Sequence, residues 1–336
     1  MKIWLLPIEP FDHRYTKQWY VWWPDELRGQ GFDVEVISGD FVGEMEGGEF
    51  LDPVKTWKWK GTQIARLAEE WKHIADGDVI LTLDGWGPAT TAVAYMRETT
   101  GKDVKLAAFF HAGSYDPKDF LARVGCRPWA LDVERGWMKA CDLILVGSDF
   151  HKRLIHNQLG IDDYRIVVVG LPIHQDELER FWTPWHERER LVVFPHRLAP
   201  EKNPQWWDHL QVLLKEKAKI VCEFATTAKD CETKEDYYKM LGKSKVAVSF
   251  ADQETFGIAM QEAIALGCWA VAPNRLSYPE LIDESNGYLF DDIFQAVDKV
   301  AYGLMKPNPP KWNQRHENAI ARAGLVIKDR LGDGKI

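Results

Sequence analysis

Cysteine is scarce in this chain: five residues in 336, an odd number, with none at metal-ligand spacing. A disulfide framework is excluded as the organising principle, and Cys126, Cys141, Cys222 and Cys268 are expected to be reduced thiols packed as small hydrophobes. Long apolar runs are lacking too. No stretch approaches the ~20 residues of a membrane span, and Met1 to Ile8, interrupted by Pro7 and followed by Glu9, reads as a first strand and not as a signal peptide. Both absences point to a cytoplasmic protein. Positive charge is in deficit, with 42 Lys and Arg against 51 Asp and Glu and a net charge of -9. That excludes general attraction to nucleic acid or anionic membrane, while leaving room for a local basic patch. No Asp-x-Asp element stands in a context suited to a metal-bound diphosphate, so no metal and no cofactor are expected.

What is present is an ordinary globular composition, 46% hydrophobic and 28% charged, long enough for two domains. The 16 tryptophans are the unusual count. Aromatic rings stack on sugars and bases, but most of these belong to the core.

The chain is organised around Val246 to Pro273. Val246 to Phe250 is an apolar run of strand type, Ala251 to Thr255 is polar, Gly257 to Leu266 is apolar with helix formers, and Cys268 to Ala272 is a second apolar run. Strand, loop, helix and strand follow, with Gly267 at the helix C′ position. Both runs are apolar at every position, as strands covered on two faces must be, so they are expected to be parallel neighbours with ligands at the loop from Ala251 to Phe256. Glu254 precedes the helix and Glu262 follows its first turn. A carboxylate among apolar residues needs hydrogen-bond donors, and sugar hydroxyls would serve. The helix N-terminus at Gly257 favours a phosphate at the same place. A nucleotide sugar requires both.

Before this stretch the chain alternates. Lys2 to Ile8 reads as a strand, Trp19 to Leu27 as a helix, Gly31 to Ser38 as a strand, Lys60 to Ile74 as a helix, Val79 to Leu83 as a strand, Ala89 to Thr99 as a helix and Lys105 to Phe110 as a strand. Such alternation implies a parallel α/β sheet. Lys55, Trp57, Lys58, Trp59 and Lys60 alternate basic and aromatic residues; this suits a single-stranded or flipped nucleotide, or a solvated edge. Ser148 is placed to cap the helix that follows it. Pro172 and the charged run Asp176 to Arg190 make a linker, and Trp312 to Leu331 reads as a final helix.

The segment Glu254-Thr-Phe-Gly-Ile-Ala-Met-Gln-Glu262, with Ala-Ile-Ala-Leu-Gly after it and Pro279-Glu280-Leu281-Ile282 beyond, resembles the Glu-x7-Glu signature of retaining GT-B glycosyltransferases. Pro195-His196-Arg197-Leu198 through Lys202 resembles their Gly-Arg-Leu-x-x-x-Lys pattern, with His196 where glycine is usual. The opening IEPFDHRYTKQWY, which holds Pro10, Asp12, His13, Arg14 and Tyr15 where glycines usually stand, looks like that of bacteriophage-encoded members. The resemblance implies an α/β protein of two Rossmann-like domains facing a cleft: residues 1–170 for the acceptor, 171–305 for the nucleotide sugar, and a tail, 306–336, whose helix crosses back to the first domain.

It further implies retaining, metal-independent transfer from a nucleotide-diphosphate sugar, UDP-glucose as the first guess, to an acceptor hydroxyl. Arg197, Lys202 and the helix N-terminus would neutralise the diphosphate, with Thr255, Phe256 and Gly257 at its side. Glu254 would hold sugar hydroxyls and Glu262 the ribose, and His111 resembles the family histidine that approaches the donor sugar. Arg14, Tyr15, Lys58 and Trp59 are the acceptor-side candidates. The phage-like opening makes hydroxymethylated pyrimidine DNA the first acceptor to test, and would place the protein in the cytoplasm of a host cell. A glycan or small-metabolite acceptor, a nucleotide-sugar epimerase and a non-catalytic sugar-nucleotide or DNA-binding module stay open.

Overall fold

The structure, a computed structural model, describes all residues except 13, 42, 44–51, 217, 313–317 and 333–336. The chain divides into two compact units, Met1–Pro172 with Asn318–Ile336, and Ile173–Glu317.

The first unit runs β1 (Lys2–Leu6), α1 (Tyr15–Gly29), β2 (Asp33–Val36), α2 (Pro53–Glu70), β3 (Val79–Thr82), α3 (Ala89–Thr100), β4 (Lys105–Phe109), α4 (Phe120–Arg123), α5 (Arg127–Ala140), β5 (Leu143–Val146), α6 (Asp149–Leu159) and β6 (Ile166–Val168). Its six strands are all parallel, in the order β2-β1-β3-β4-β5-β6. The interior strands β3 and β5 are buried at every position, which is why they read as unbroken apolar runs in sequence. From β1 the chain goes outward to β2 and returns on the other side as β3. The carboxyl ends of β1 and β3 therefore flank a topological switch point, the usual ligand position of such sheets.

The second unit repeats the logic. It contains α7 (Gln175–Glu179), β7 (Leu191–Phe194), α8 (Pro204–Glu216), β8 (Glu223–Thr226), α9 (Thr227–Asp230), α10 (Lys234–Lys243), β9 (Val246–Val248), α11 (Ile258–Ala265), β10 (Trp269–Pro273), α12 (Tyr278–Leu281), β11 (Gly287–Phe290) and α13 (Ile293–Met305). The five strands are parallel, in the order β11-β10-β9-β7-β8. Here the switch point lies between β7 and β9, so the loops after Phe194 and Val248 meet at one end of the sheet.

Gly267 ends α11 as its position predicts. Its φ is 87°, its N–H bonds to Ile264 O, and the next N–H bonds to Ala263 O, the two bonds of a Schellman cap. Ser148 caps α6 through His151 N at 3.1 Å. The final helix α14 (Ala319–Leu331) belongs to the first unit, where Arg322 Nε donates to Val169 O at 2.9 Å. Residues 313–317 of the expected final helix lie outside the described residues, as does His13 of the opening segment.

The start of α2 corrects the sequence reading. The helix begins at Pro53, seven residues before the expected Lys60, because Asp52 accepts from Val54 N and Lys55 N at 3.0 Å and Pro53 occupies the first turn. The apparent alternation at 55–60 is thus wound at 3.6 residues per turn. Thr56, Trp59, Lys60, Gln63 and Leu67 turn inward, while Trp57 and Lys58 are exposed. Most of the tryptophans are core: Trp19, Trp23 and Trp207 are among the largest fully buried side chains.

Candidate functional site

Lys202 and Glu254 stand on the two loops that meet at the switch point of the second sheet. The 3-10 turn Pro200–Lys202 is followed by Asn203, whose φ of 53° and side-chain bond to Phe250 O at 2.9 Å fix the turn against the end of β9. Lys202 Nζ donates to Glu254 Oε1 at 2.6 Å and to Gln253 O at 2.7 Å. Behind the pair, His196 Nδ1 lies 4.0 Å from Glu254 Oε1, and its Nε2 is 2.9 Å from Ser249 Oγ, which in turn is 2.7 Å from Tyr278 OH. Burial, with Lys202 and Arg197 nearby, pushes the His196 pKa well below its ordinary value, so the ring is neutral.

Arg197 is brought to the same loop but is already paired with Glu201, a buried carboxylate one helical turn later. Two cations, Arg197 and Lys202, thus face two anions, Glu201 and Glu254. A diphosphate at this loop would share its lysine with a carboxylate. The N-terminus of α11 adds to the favourable field. Gly257, its N-cap, has φ 82°, offers no side-chain cap, and packs so closely that a Cβ would lie 2.9 Å from the Tyr278 ring. Thr255 is half-buried and Phe256 is in the core.

Glu262 is buried on α11 as the pattern suggested, but its donors come from within the chain. Lys234 Nζ and Tyr238 OH reach Oε1 at 2.8 and 3.0 Å, and Tyr237 OH reaches Oε2 at 2.8 Å. A carboxylate has about four acceptor sites. Three are filled, so Glu262 cannot also accept from two ribose hydroxyls unless one of these donors gives way. The sequence held the signal in Lys234, Tyr237 and Tyr238, the two tyrosines three and four residues after the lysine on a single face of α10. It could not show which helix that face would meet.

In the first unit, His111 follows β4, and its two ring nitrogens are both engaged. Nε2 is 2.7 Å from Leu83 O, so it carries the proton, and Nδ1 accepts from Tyr15 OH at 3.3 Å. Burial holds its pKa below the ordinary value. Tyr15 and His111 are therefore together, with the Trp19 ring packed at a tilt against both at ring distances of 4.9 and 5.1 Å. Arg14 is half-buried at the start of α1, its guanidinium 5.8 Å from the Phe11 ring.

Trp59 is not available to stack a base: it is 3% exposed, with Nε1 directed at Pro7 O. Lys60 is buried as well, paired with Asp84 at 2.7 Å and donating to Trp86 O. Of the basic-aromatic segment, Trp57 and Lys58 remain at the surface. Sequence reasoning passed over Glu9 and Asp84, which line a pocket with Lys60, Gln63, Thr82 and Gly87. Among the described residues no group of three or more His, Cys, Asp or Glu side chains is arranged to hold a metal ion.

Two family models match the chain, Glycosyltransferase Family 4 over residues 25–177 and Glycosyl transferases group 1 over residues 226–319. The tRNA-queuosine alpha-mannosyltransferase of Drosophila melanogaster is 46% identical over 73 residues, which are 22% of this chain and 19% of that protein. The chain thus spans about a fifth of the length of this curated relative. Among solved structures, sucrose-phosphate synthase from Thermosynechococcus elongatus superposes with a TM-score of 0.67 at 12% identity, over 99% of this chain and 96% of that one. Anabaena HepE, solved with UDP and glucose, gives a TM-score of 0.58 at 12% identity, over 98% and 95%. The fold is GT-B. Together with the two matched stretches it supports a GT-B glycosyltransferase.

Proposed function

We propose that the protein transfers a sugar, with retention of anomeric configuration and without a bound metal, from a nucleotide-diphosphate sugar to an acceptor hydroxyl. The observation that carries this reading is the part-buried Lys202–Glu254 pair at the switch point, set before the N-terminus of α11. In this reading the acceptor oxygen bonds to the anomeric carbon on the face from which the diphosphate departs. The acceptor's proton passes to the departing diphosphate, so no side chain changes its proton count. Lys202, Arg197 and the helix N-terminus stabilise the charge that grows on the diphosphate, and Glu254 accepts from sugar hydroxyls. Glu262 orders the wall of the pocket through α10, with one acceptor site left for a ribose hydroxyl. Tyr15 fixes the His111 ring beside the acceptor. Preorganised donors of this kind are worth on the order of 3–4 kcal/mol each.

UDP-glucose is the first donor to test, supported by the UDP and glucose in the HepE structure. The phage-like opening makes DNA containing hydroxymethyluracil or hydroxymethylcytosine the first acceptor, with the exposed Trp57 and Lys58 as the contacts that remain. The similarity to a tRNA-queuosine alpha-mannosyltransferase favours a second reading, a modified nucleoside of tRNA. No helix among the described residues is long and apolar enough to cross a membrane, and we place the protein in the cytoplasm.

The test is a screen of nucleotide sugars for hydrolysis, followed by transfer of radiolabelled sugar to modified DNA, to queuosine-containing tRNA and to unmodified controls. Retention is read from the anomer of the product, and metal independence from activity in a strong chelator. Sugar release without any transfer product, and with a changed sugar configuration, would replace this reading with an epimerase.

A further inference from the structure

The loops after β3 and β4 leave the same end of the first sheet, and a hydrogen bond joins them there. His111, just past β4, donates from Nε2 to the carbonyl of Leu83, just past β3, at 2.7 Å. Trp86 stands three residues beyond Leu83, and Ser114 stands three residues beyond His111. Glu134 of α5 grips both. Its Oε1 accepts from Trp86 Nε1 and from Ser114 N, each at 2.7 Å, and its Oε2 accepts from Ser114 Oγ at 2.8 Å. The Tyr115 N–H adds to the same carboxylate.

The space around this grip is full. A Cβ on Gly113 would lie 2.3 Å from the Tyr115 ring and 3.0 Å from Glu134 Oε1, and one on Gly85 would lie 2.6 Å from the Phe110 ring. Tyr115 OH is in turn 2.6 Å from Nε2 of His151, in the capped first turn of α6. A shift of either loop therefore has to move the other. Glu134 is fully buried, and the N–H and O–H groups that hold it are neutral. A buried acid held in this way costs stability that an apolar side chain would not. What it supplies is geometry: one short group with several acceptor sites holds two loops at a fixed separation.

We propose that Glu134 is a positioning residue: by gripping the loops after β3 and β4 three residues beyond the His111–Leu83 bond, it fixes the place and the tautomer of the His111 ring beside the acceptor. The effect on turnover rests on the glycosyl transfer proposed above, whereas the effect on the His111 ring is independent of it.

The test compares wild type, Glu134→Gln, Glu134→Ala and Trp86→Phe as full chains. The ring nitrogens of His111 are followed by isotope-edited NMR, kcat and the donor KM are measured in sugar transfer or donor hydrolysis, and a thermal midpoint is taken for each. Glutamine keeps one oxygen for Trp86 and Ser114 N, and its amide can donate to the Ser114 hydroxyl. In Glu134→Gln the proton should stay on Nε2 of His111, and kcat should fall by no more than about threefold. Glu134→Ala frees both loops, so His111 should show exchanging tautomers. Its kcat should fall about 10²-fold with the donor KM changed by no more than about twofold, the loss expected when a group beside the reacting atoms moves by about an ångström. Trp86→Phe releases only the loop after β3 and should fall between the two; it carries the test if Glu134→Ala does not fold. His111 signals unchanged in every folded variant, or a loss in Glu134→Gln as large as in Glu134→Ala, would overturn the proposal, as would a loss of activity that follows the loss of folded protein alone. A wild type that turns over no nucleotide sugar would remove the glycosyltransferase reading, and the His111 signals would still decide whether Glu134 positions the ring.

Discussion

The two switch points hold their buried charge differently. In the second unit every carboxylate around the site has an in-chain donor: Glu254 has Lys202, Glu201 has Arg197, and Glu262 has Lys234, Tyr237 and Tyr238. In the first unit Asp84 is matched by Lys60, while Glu9 has the Thr56 hydroxyl beside it and no cation of its own, the Lys60 charge being shared with Asp84. The difference separates two uses of a buried acid. A matched carboxylate holds loops and helices in register and costs little, because its desolvation is offset by donors already in place. A buried carboxylate without a cation of its own lowers stability when it is charged.

The largest effect that would break this comparison is at Lys202. Lys202→Ala removes the cation of the diphosphate cluster and leaves Glu254 without its nearest donor; sugar transfer or donor hydrolysis should fall by about 10²–10³. Activity equal to wild type would take Lys202 out of the site.

Glu262→Ala should act on stability before it acts on turnover. It strands a lysine and two tyrosine hydroxyls between α10 and α11, and a loss of roughly 3 kcal/mol is expected in denaturant unfolding. A variant as stable as wild type but with weakened nucleotide affinity would return Glu262 to a ribose-binding role. Gly257→Ala should cost about 1–3 kcal/mol, because the new Cβ meets the Tyr278 ring and a positive φ disfavours any side chain. Unchanged stability and activity would show that the head of α11 tolerates movement.

The smallest effect is the most diagnostic. Glu9→Gln should stabilise the protein at neutral pH by about 1 kcal/mol. The Glu9 pKa is raised, first by burial, with Lys60 opposing and Asp84 adding to the rise. The folded state thus holds its proton to higher pH than the unfolded state does, and the penalty of the charged form is absent below the ordinary value of 4.5. It grows as pH rises through that value and is complete above the folded one. The stability difference between Glu9→Gln and wild type should therefore shrink in acid. A constant difference from pH 4 to pH 8 would mean that the carboxylate is solvated and not a buried acid with a raised pKa.

The alternation of apolar runs, the Gly267 stop and the Ser148 cap fixed the α/β class and the placement of most elements, because strand and helix periods and cap chemistry are local properties. Arg197, Lys202 and Glu254 stand on the loops after β7 and β9, as the apolar runs before them implied. Residues 55–60 were harder. Five residues of alternating type fit a period of two as well as one face of a helix, and the decision lay with the Asp52-Pro53 cap just upstream. Whether a charged side chain meets a partner was not legible at all. The pairing of Glu262 with Lys234 joins residues 28 apart, and that of Lys202 with Glu254 joins residues 52 apart. Sequence alone determined which residues carry charge and which local structures they ride on. Only the tertiary structure decided which of those charges are matched, because a hydrogen bond depends on distances of a few tenths of an ångström between elements that the chain brings together from far apart.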